Sequence, residues 1–274
     1  MCELAGVSRA GYYRFLHPDK PAVADLELRN EIQKIALKWP SYGSRRIRAE
    51  LLAQGWDVNR KRIQRLMRED NLLCLAKRKF VLTTDSSHGL RVYPNLGSSM
   101  TLTGVDQLWI ADITYIRLEE EFVYLAVILD AHSRRVIGWH VDDTLSDSLT
   151  IAALEMALGQ REVRPGLVHH SDRGVQYASG AYTQMLMDHN VEISMSRKGN
   201  PWDNAACESF MKTLKYEEVY RTEYRNLAHA RSAIGEFLGK VYNEKRLHSA
   251  LNYLSPGEFE RRLRDENAYG KAAA

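Results

Sequence analysis

The chain has 274 residues, of which 45% are hydrophobic and 27% charged, a composition that supplies a sizeable core and excludes a mainly disordered protein. No run approaches the ~20 apolar residues of a bilayer span, which excludes an integral membrane protein. The net charge of +3 is uneven, because residues 1–80 hold 17 Lys and Arg against 9 Asp and Glu, whereas the remainder holds 21 against 26. We therefore expect a polyanionic partner to bind mainly at the N-terminal third.

The start of the chain shows neither the basic nor the apolar stretch of a secretory signal. The three cysteines, Cys2, Cys74 and Cys207, are far apart and odd in number, so they predict no disulfide framework. Both observations predict a cytoplasmic protein without a membrane partner.

The first segment, residues 1–20, contains a Gly-Val-Ser turn followed by a short basic and aromatic stretch. This pattern is typical of the turn and second helix of a helix-turn-helix, whose first helix would lie upstream of Met1. A surface helix that packs its two tyrosines on a neighbour explains the pattern equally well.

Residues 21–75 predict a small all-α domain of three helices. An apolar stripe at i, i+4, i+7 and i+11 that ends at Trp39 marks the first helix. The second is expected over Ser44–Gln54. The third is expected over Arg60–Asp70, with Asn59 as its N-cap.

Basic side chains are frequent on the second and third of these helices. A solvated charged face is the usual explanation of such a stripe, but the nearly single-sign charge of this small unit favours contact with phosphates. The candidates are Arg45, Arg46, Arg48, Lys61, Arg65 and Arg68.

Residues 76–103 are polar and predict a linker that opens with a basic run. The pattern then changes to strands, expected at Leu108–Arg117, Phe122–Asp130 and Arg135–Val141 and joined by tight turns.

Helices and strands alternate after these three strands. We expect further strands at Leu167–His170 and Val191–Ser194, and helices at 146–158, Ala178–His189, Asn204–Glu218, Leu227–Tyr242 and, briefly, after Pro256. This order predicts an α/β core over residues 104–220, with a mixed five-stranded sheet flanked by helices, and a C-terminal helical extension over residues 221–274.

Three carboxylate side chains are the candidate catalytic groups. Asp112 lies inside the first core strand, where Asp is rare, although pairing with an Arg would also explain it. Asp172 follows a short strand, where ligands gather in α/β sheets and where turn Asp residues are also common. Glu208 lies in the first turn of a helix, where the helix dipole alone favours a carboxylate.

Three motifs surround these residues: W-x-A-D-I-T-Y around Asp112, H-S-D-R-G-x-Q-Y around Asp172, and D-N-A-x-x-E-S-F-x-x-x-L-K around Glu208, with 35 residues between Asp172 and Glu208. Together with the closing motif Y-N-x-x-R-x-H-S-A-L-x-Y-x-S-P (Tyr242 to Pro256), they closely resemble the DDE transposases of bacterial insertion sequences. More narrowly, they look like the OrfB-type product of the group whose catalytic core is similar to retroviral integrase. The resemblance covers most of the chain.

The resemblance implies an RNase H-like core in which Asp112, Asp172 and Glu208 are both catalytic residues and metal ligands. Oxygen-only ligands suit Mg²⁺ or Mn²⁺, and two ions ~3.5–4 Å apart are expected for phosphodiester chemistry. Asp112 would bridge both ions, Asp172 would hold one and Glu208 the other. We therefore expect their oxygen atoms to lie close enough to share these ions.

The implied enzyme is a polynucleotidyl transferase. Hydrolysis at the end of the element frees a 3′-OH, which then attacks a second phosphodiester by transesterification. The implied partners are the terminal inverted repeats and target DNA. Lys212 and Lys215 lie on the same helical face as Glu208, so we expect them to hold the end DNA, although an ordinary i, i+4 ion pair with Glu208 would also explain the pattern. Joining two ends implies at least a homodimer. In this group a helix-turn-helix protein from an upstream frame is fused by frameshifting, so it is an expected partner.

Two other functions remain open from the sequence. One is a metal-dependent nuclease on the same RNase H-like fold, which would hydrolyse but not join DNA. The other is a DNA-binding regulator that has lost catalysis, although the intact carboxylate triad argues against it. A serine or tyrosine recombinase is not supported, because no Arg and His cluster surrounds a candidate nucleophilic tyrosine.

Overall fold

The computed structural model describes Ser8 and residues 23–72, 90–119, 121–197 and 204–272. The chain divides into an N-terminal unit and a core unit, with the boundary between Arg78 and Lys79. The helix-turn-helix-like segment apart from Ser8, the basic start of the linker and nearly all of the loop before Asn204 lie outside the described residues. Within the described residues, no helix combines the length and apolar character that a membrane crossing requires.

The N-terminal unit contains the three predicted helices, α1 (Val23–Lys38), α2 (Ser44–Ala53) and α3 (Arg60–Glu69). Asn59 caps α3 as expected, because its side chain accepts a hydrogen bond of 2.8 Å from the Lys61 N–H. The apolar stripes face each other and are buried, namely Leu28, Ile32, Ile35, Trp39, Ile47, Leu51, Ile63, Leu66 and Met67.

Ion pairs connect α1 to α3 along the rim of this small core. Arg62 contacts Asp25 at 2.6 Å, and Arg65 contacts the same carboxylate at 3.3 Å. Arg29 of α1 pairs with Asp70 just beyond α3. Partly exposed ion pairs of this kind add little stability individually. They do neutralise part of the positive charge of the N-terminal unit.

The core unit is built on a mixed five-stranded sheet, as predicted. Its spatial order is β3-β2-β1-β4-β5, with β1 paired antiparallel to β2 and parallel to β4. The strands are β1 (Leu108–Arg117), β2 (Phe122–Asp130), β3 (Val136–Asp142), β4 (Val168–Ser171) and β5 (Glu192–Met195).

Helices cover both faces of the sheet. They are α4 (Asp147–Gln160), α5 (Val175–Ala178), α6 (Gly180–Asp188), α7 (Ala205–Leu214), α8 (Leu227–Glu236) and α9 (Pro256–Ala272). Widened helical turns continue α7 over Lys215–Val219 and α8 over Phe237–Tyr242.

Two details differ from the sequence predictions. The helix expected over Ala178–His189 is divided into α5 and α6 at Ser179, whose backbone is extended and whose side chain caps α6. The helix after Pro256 is not short, because α9 continues to Ala272.

The two faces of the sheet bury separate hydrophobic cores. Trp109 and Ala111 of β1 pack with Leu154 of α4 and other side chains on one face. Ile110 and Ile116 pack with Phe210 of α7 on the other. This second core also takes its side chains from residues near the C-terminus, namely Tyr224, Ala230, Ile234, Phe237, Leu238 and Tyr242.

The described part of the predicted linker packs on the core unit. Leu96, Met100 and Leu102 lie against the core that contains α7. The Leu96 N–H also donates to the Ser194 hydroxyl of β5 at 2.8 Å. Residues 90–103 therefore contribute to the core unit in this structure.

Gly138 sets the distance between β3 and α4. A Cβ added at this position would lie 2.2 Å from the backbone oxygen of Ala153, which is too close for any side chain. We expect Gly138→Ala to lower the free energy of unfolding by ~2–3 kcal/mol, because strand and helix must move apart. Urea denaturation measures this loss.

Gly159 of α4 provides the matched control, because a Cβ there would meet nothing within 4 Å. Gly159→Ala should raise stability by ~0.5–1 kcal/mol through helix propensity. Equal stabilities for Gly138→Ala and Gly159→Ala would contradict the close approach of β3 and α4.

Candidate active site

Asp112 lies in the middle of the sheet on β1, opposite Val127 of β2. Side chains alternate along a strand, so Asp112 shares a face with Ile110, on the side covered by α7. It is half-buried, and its Oδ1 atom accepts a hydrogen bond of 2.9 Å from the Ile113 N–H. An acidic side chain therefore lies on a face of the sheet that otherwise packs apolar side chains.

Asp172 follows β4, the parallel neighbour of β1. The register pairs Ile110 with His170, so Asp112 and Asp172 each lie two residues beyond this pair. The Asp172 Oδ1 atom accepts a hydrogen bond of 2.9 Å from the Gly174 N–H, which fixes the turn into α5. The parallel register brings the two carboxylates to the same edge of the sheet.

Glu208 lies in the first turn of α7, as predicted. The start of this helix is attached to β1 next to Asp112, because the Asn204 side-chain amide donates to the Ala111 carbonyl at 3.3 Å. The Glu208 Oε2 atom lies 3.8 Å from the Lys212 ammonium group one turn later. Their side chains are 42% and 50% exposed, so this pair is open to solvent.

Electrostatic interaction connects the three carboxylates. Burial, followed by the negative charges of Asp172 and Glu208, raises the pKa of Asp112 to about 7, and the positive charge of Lys215 opposes the shift. Burial also raises the pKa of the Cys207 thiol, with all three carboxylates contributing. The strand register and the attachment of α7 to β1 place the three acidic residues in the same region of the core unit.

A complete ligand set is not assembled in this arrangement. Within the described part of the chain, no three His, Cys, Asp or Glu side chains form a group that could hold a metal ion. Sharing of ions by the three carboxylates therefore stays a prediction, and in the side-chain positions seen Glu208 faces Lys212. The donor chemistry still fits a hard divalent cation, because all three groups offer carboxylate oxygen atoms and their mutual repulsion favours a bound positive charge.

The two lysines after Glu208 occupy different environments. Lys212 is half-exposed, whereas Lys215 is only 4% exposed and its ammonium group lies 4.7 Å from the centroid of the Tyr115 ring. Burial lowers the pKa of Lys215, and the charge of Asp112 opposes this shift. The charge of Lys215 thus acts on Asp112 from inside the core unit, and contact of either lysine with DNA stays a prediction.

Two residues support the site for which the sequence indicated only a helix start and a core or strand-end histidine, namely Asn204 and His170. Asn204 attaches α7 to β1 as described. His170 contacts the Ser194 and Ser196 hydroxyls at 2.8 and 3.0 Å, which joins β4 to β5 just before Asp172. Both residues lie within the sequence motifs around Asp172 and Glu208, and this position is the sequence feature that could have indicated their role.

Tyr177 is buried in the core on the other face of the sheet, where its ring packs against His169 and Tyr182. Burial raises the pKa of its hydroxyl, which has no hydrogen-bond partner among the described residues.

The basic candidates of the N-terminal unit also differ in environment. Arg48 donates to the Val58 carbonyl at 3.0 Å, Arg46 stacks 5.3 Å from the centroid of the Tyr42 ring, and Arg65 pairs with α1 as described. The others are exposed and make no ion pair among the described residues, namely Arg45, Lys61 and Arg68. Contact of any of the six with DNA stays a prediction.

The raised pKa of Asp112 predicts a pH-dependent stability. The folded chain protonates this group more readily than the unfolded chain does, so its ionisation between about pH 4 and pH 7 destabilises the folded state. Asp112→Asn should therefore raise the free energy of unfolding at pH 8 in metal-free buffer, by up to ~4 kcal/mol, with a gain that shrinks toward pH 4. Urea denaturation across this pH range measures the gain.

A substitution at an exposed acidic residue is the control for the simple loss of a negative charge. Asp188 lies at the end of α6, and its carboxylate contacts only Gln184 among the described residues. We expect Asp188→Asn to show no comparable gain at pH 8. A gain for Asp112→Asn that is the same at pH 8 and pH 4 would contradict the electrostatic account of the site.

Comparisons with known proteins agree with this architecture. An integrase core domain model matches residues 103–201, and a second integrase core domain model matches residues 189–256. An HTH-like domain model matches residues 24–80.

Two relatives match nearly the whole chain. The 31 kDa protein of insertion element IS600 from Shigella sonnei is 40% identical, over 94% of this chain and 97% of that protein. The transposase InsF for insertion sequence IS3A from Escherichia coli K12 is 35% identical, over 95% of this chain and 92% of that protein. Among solved structures, the HTLV-2 integrase catalytic core domain in complex with magnesium is 16% identical, with a TM-score of 0.44, over 57% of this chain and 95% of that one. The chain therefore belongs to the integrase-core family of insertion-sequence transposases.

Proposed function

We propose that this transposase hydrolyses a phosphodiester at each end of its insertion sequence and joins the freed 3′-OH to target DNA, with Asp112, Asp172 and Glu208 as its catalytic residues. The observation that supports the proposal is geometric: the parallel register brings Asp112 and Asp172 to one edge of the sheet, and Asn204 attaches the start of the helix that carries Glu208 next to Asp112. The integrase core domain match supplies the reaction class.

The three carboxylates would hold Mg²⁺ or Mn²⁺, and we propose two ions per site. When bound, the ions would activate the attacking oxygen and stabilise the leaving oxygen of the phosphodiester. The chain itself contributes the frame: β1 and β4 hold the two aspartates in register, and Asn204 keeps the start of α7 against β1. The proposal requires the Glu208 carboxylate to exchange its contact with Lys212 for a shared ion.

The test of the catalytic assignment is to measure Asp112→Asn, Asp172→Asn and Glu208→Gln separately. We expect each to lower Mg²⁺-dependent strand transfer of a pre-cleaved insertion-sequence end by at least 100-fold, because each removes a charged oxygen ligand. Gel analysis of joined product measures the rate. Near-normal joining by any one variant would remove that residue from the assignment.

Glu192→Gln is the matched control. Glu192 is an exposed acid at the start of β5, paired in register with the start of β4, whereas Asp172 follows the end of β4. The Glu192→Gln variant should join DNA at the same rate as the unmodified chain. The same assay separates a transposase from a nuclease on this fold, because only the transposase gives joined product.

We further propose that the N-terminal unit binds DNA through the exposed face of α2 and α3. Lys61 and Arg68 lie seven residues apart on one stripe of α3, and Arg45 is exposed on α2. Lys215, buried beside Tyr115, is a less accessible candidate for DNA contact than Lys212.

The salt dependence of DNA affinity tests this surface. Lys61→Gln and Arg68→Gln should each weaken binding and reduce the slope of log affinity against log salt by about one, because each phosphate contact releases about one counterion. Lys34→Gln on α1 is the matched control, since Lys34 already pairs with Glu31 at 2.7 Å. Slopes that are equal in all three variants would contradict the proposed DNA surface.

Two features of the partners complete the proposal. Because two ends must be joined, we propose at least a dimer on DNA. We also propose the helix-turn-helix product of an upstream frame as a fusion partner that selects the terminal repeats. Strand transfer by this chain with and without that product tests the second proposal, and cross-linking on paired ends tests the first.

A further inference from the structure

The closing motif from Tyr242 to Pro256, here named the closing segment, carries none of the proposed catalytic residues. It nevertheless contacts both the sheet that carries Asp112 and the helix that carries Glu208. These two attachments are made by buried polar side chains with defined geometry.

The attachment to the sheet is made by Asn243. Its buried side-chain amide donates to the Val136 carbonyl at 2.9 Å and accepts from the Val136 N–H at 3.0 Å. Both backbone groups of one residue of β3 are thus paired with a single side chain. Since β3 pairs with β2 and β2 with β1, the closing segment is fixed to the sheet that holds Asp112.

The attachment to α7 is made by Arg246. Its Nε and terminal nitrogen atoms contact both carboxylate oxygens of Glu217 at 2.7 and 2.8 Å. The two side chains are only 3% and 7% exposed. Glu217 lies in the widened turn that continues α7, two residues after Lys215.

Ring packing adds a second contact with α7, close to Glu208. The Tyr242 ring meets the Phe210 ring edge-to-face at 4.9 Å, and the His248 ring packs against Tyr242 at 4.9 Å. Phe210 lies two residues after Glu208. The closing segment therefore contacts this helix at two points, between Glu208 and Lys215 at Phe210 and just after Lys215 at Glu217.

A buried ion pair rarely stabilises a protein more than apolar packing of the same volume would. A two-bond arginine–carboxylate contact does, however, fix both distance and direction. We propose that Arg246, through its paired contact with Glu217, is a positioning residue that sets where α7 presents Glu208 relative to Asp112. The inference rests on the proposed role of Glu208 as a metal ligand.

The experiment uses the full chain and compares three variants. Arg246→Lys keeps the charge but loses the two-bond geometry. Glu217→Gln keeps the shape of the contact and removes its charge, which covers the case in which Arg246→Lys fails to fold. The control is Arg161→Lys, because Arg161 makes a buried pair with Glu260 at 2.6 Å and also contacts Asp106, near the start of β1 and six residues before Asp112.

Hydrogen exchange of the α7 amides and Mn²⁺ binding, measured by electron paramagnetic resonance, are the readouts. We expect α7 to exchange at least 10-fold faster in Arg246→Lys and Glu217→Gln than in Arg161→Lys at matched loss of thermal stability. The Mn²⁺ dissociation constant and the Mg²⁺ concentration for half-maximal strand transfer should rise at least 5-fold in the first two variants only. Excess Mg²⁺ should restore much of their rate.

The outcomes separate the inference from the proposed function. Faster hydrogen exchange of α7 in Arg246→Lys and Glu217→Gln only, together with weaker Mn²⁺ binding by these two variants, supports the inference. Equal α7 exchange in the three variants, or unchanged Mn²⁺ affinity despite faster exchange, overturns it. Failure of the proposed function is seen separately, as absence of joined product from the unmodified chain.

Discussion

The mutual repulsion of three carboxylates is the constraint around which the core unit is arranged. Two such groups ~4 Å apart repel by ~4 kcal/mol at an effective dielectric of 20, so they stay together only when rigid elements hold them. One acid lies on β1, the second directly follows its parallel neighbour β4, and the third lies on a helix attached to β1. Lys215, which follows this helix directly, is buried, and its charge partly offsets that of Asp112.

Several polar contacts in the surrounding structure hold those elements in place. The His170 contacts join β4 to β5 immediately before the second acid, and the Asn204 amide fixes the start of α7. The pair between Arg246 and Glu217 fixes the far end of the same helix. These polar contacts involve the strands and the helix that carry the site.

Much of this fold could be predicted from the sequence, because alternating and helical apolar patterns are local. The bounds of β1 and β2 and the N-cap Asn59 are as predicted, and the spacing of the motifs identified the three acids. The direction of the Glu208 carboxylate and the burial of Lys215 could not be predicted, because both depend on side-chain contacts made only in the folded chain. The length of α9 was missed because its C-terminal half lacks a clear apolar stripe.

The late position of the second hydrophobic core in the sequence has a consequence for biosynthesis. One face of the sheet is covered by α7 and by side chains that follow residue 220, such as Tyr224, Ile234 and Tyr242. A nascent polypeptide that has left the ribosome only as far as β5 therefore lacks most of the side chains that cover this face of the sheet. Exposed apolar surface of this kind favours aggregation, so we expect this core to be completed only when the last quarter of the chain emerges.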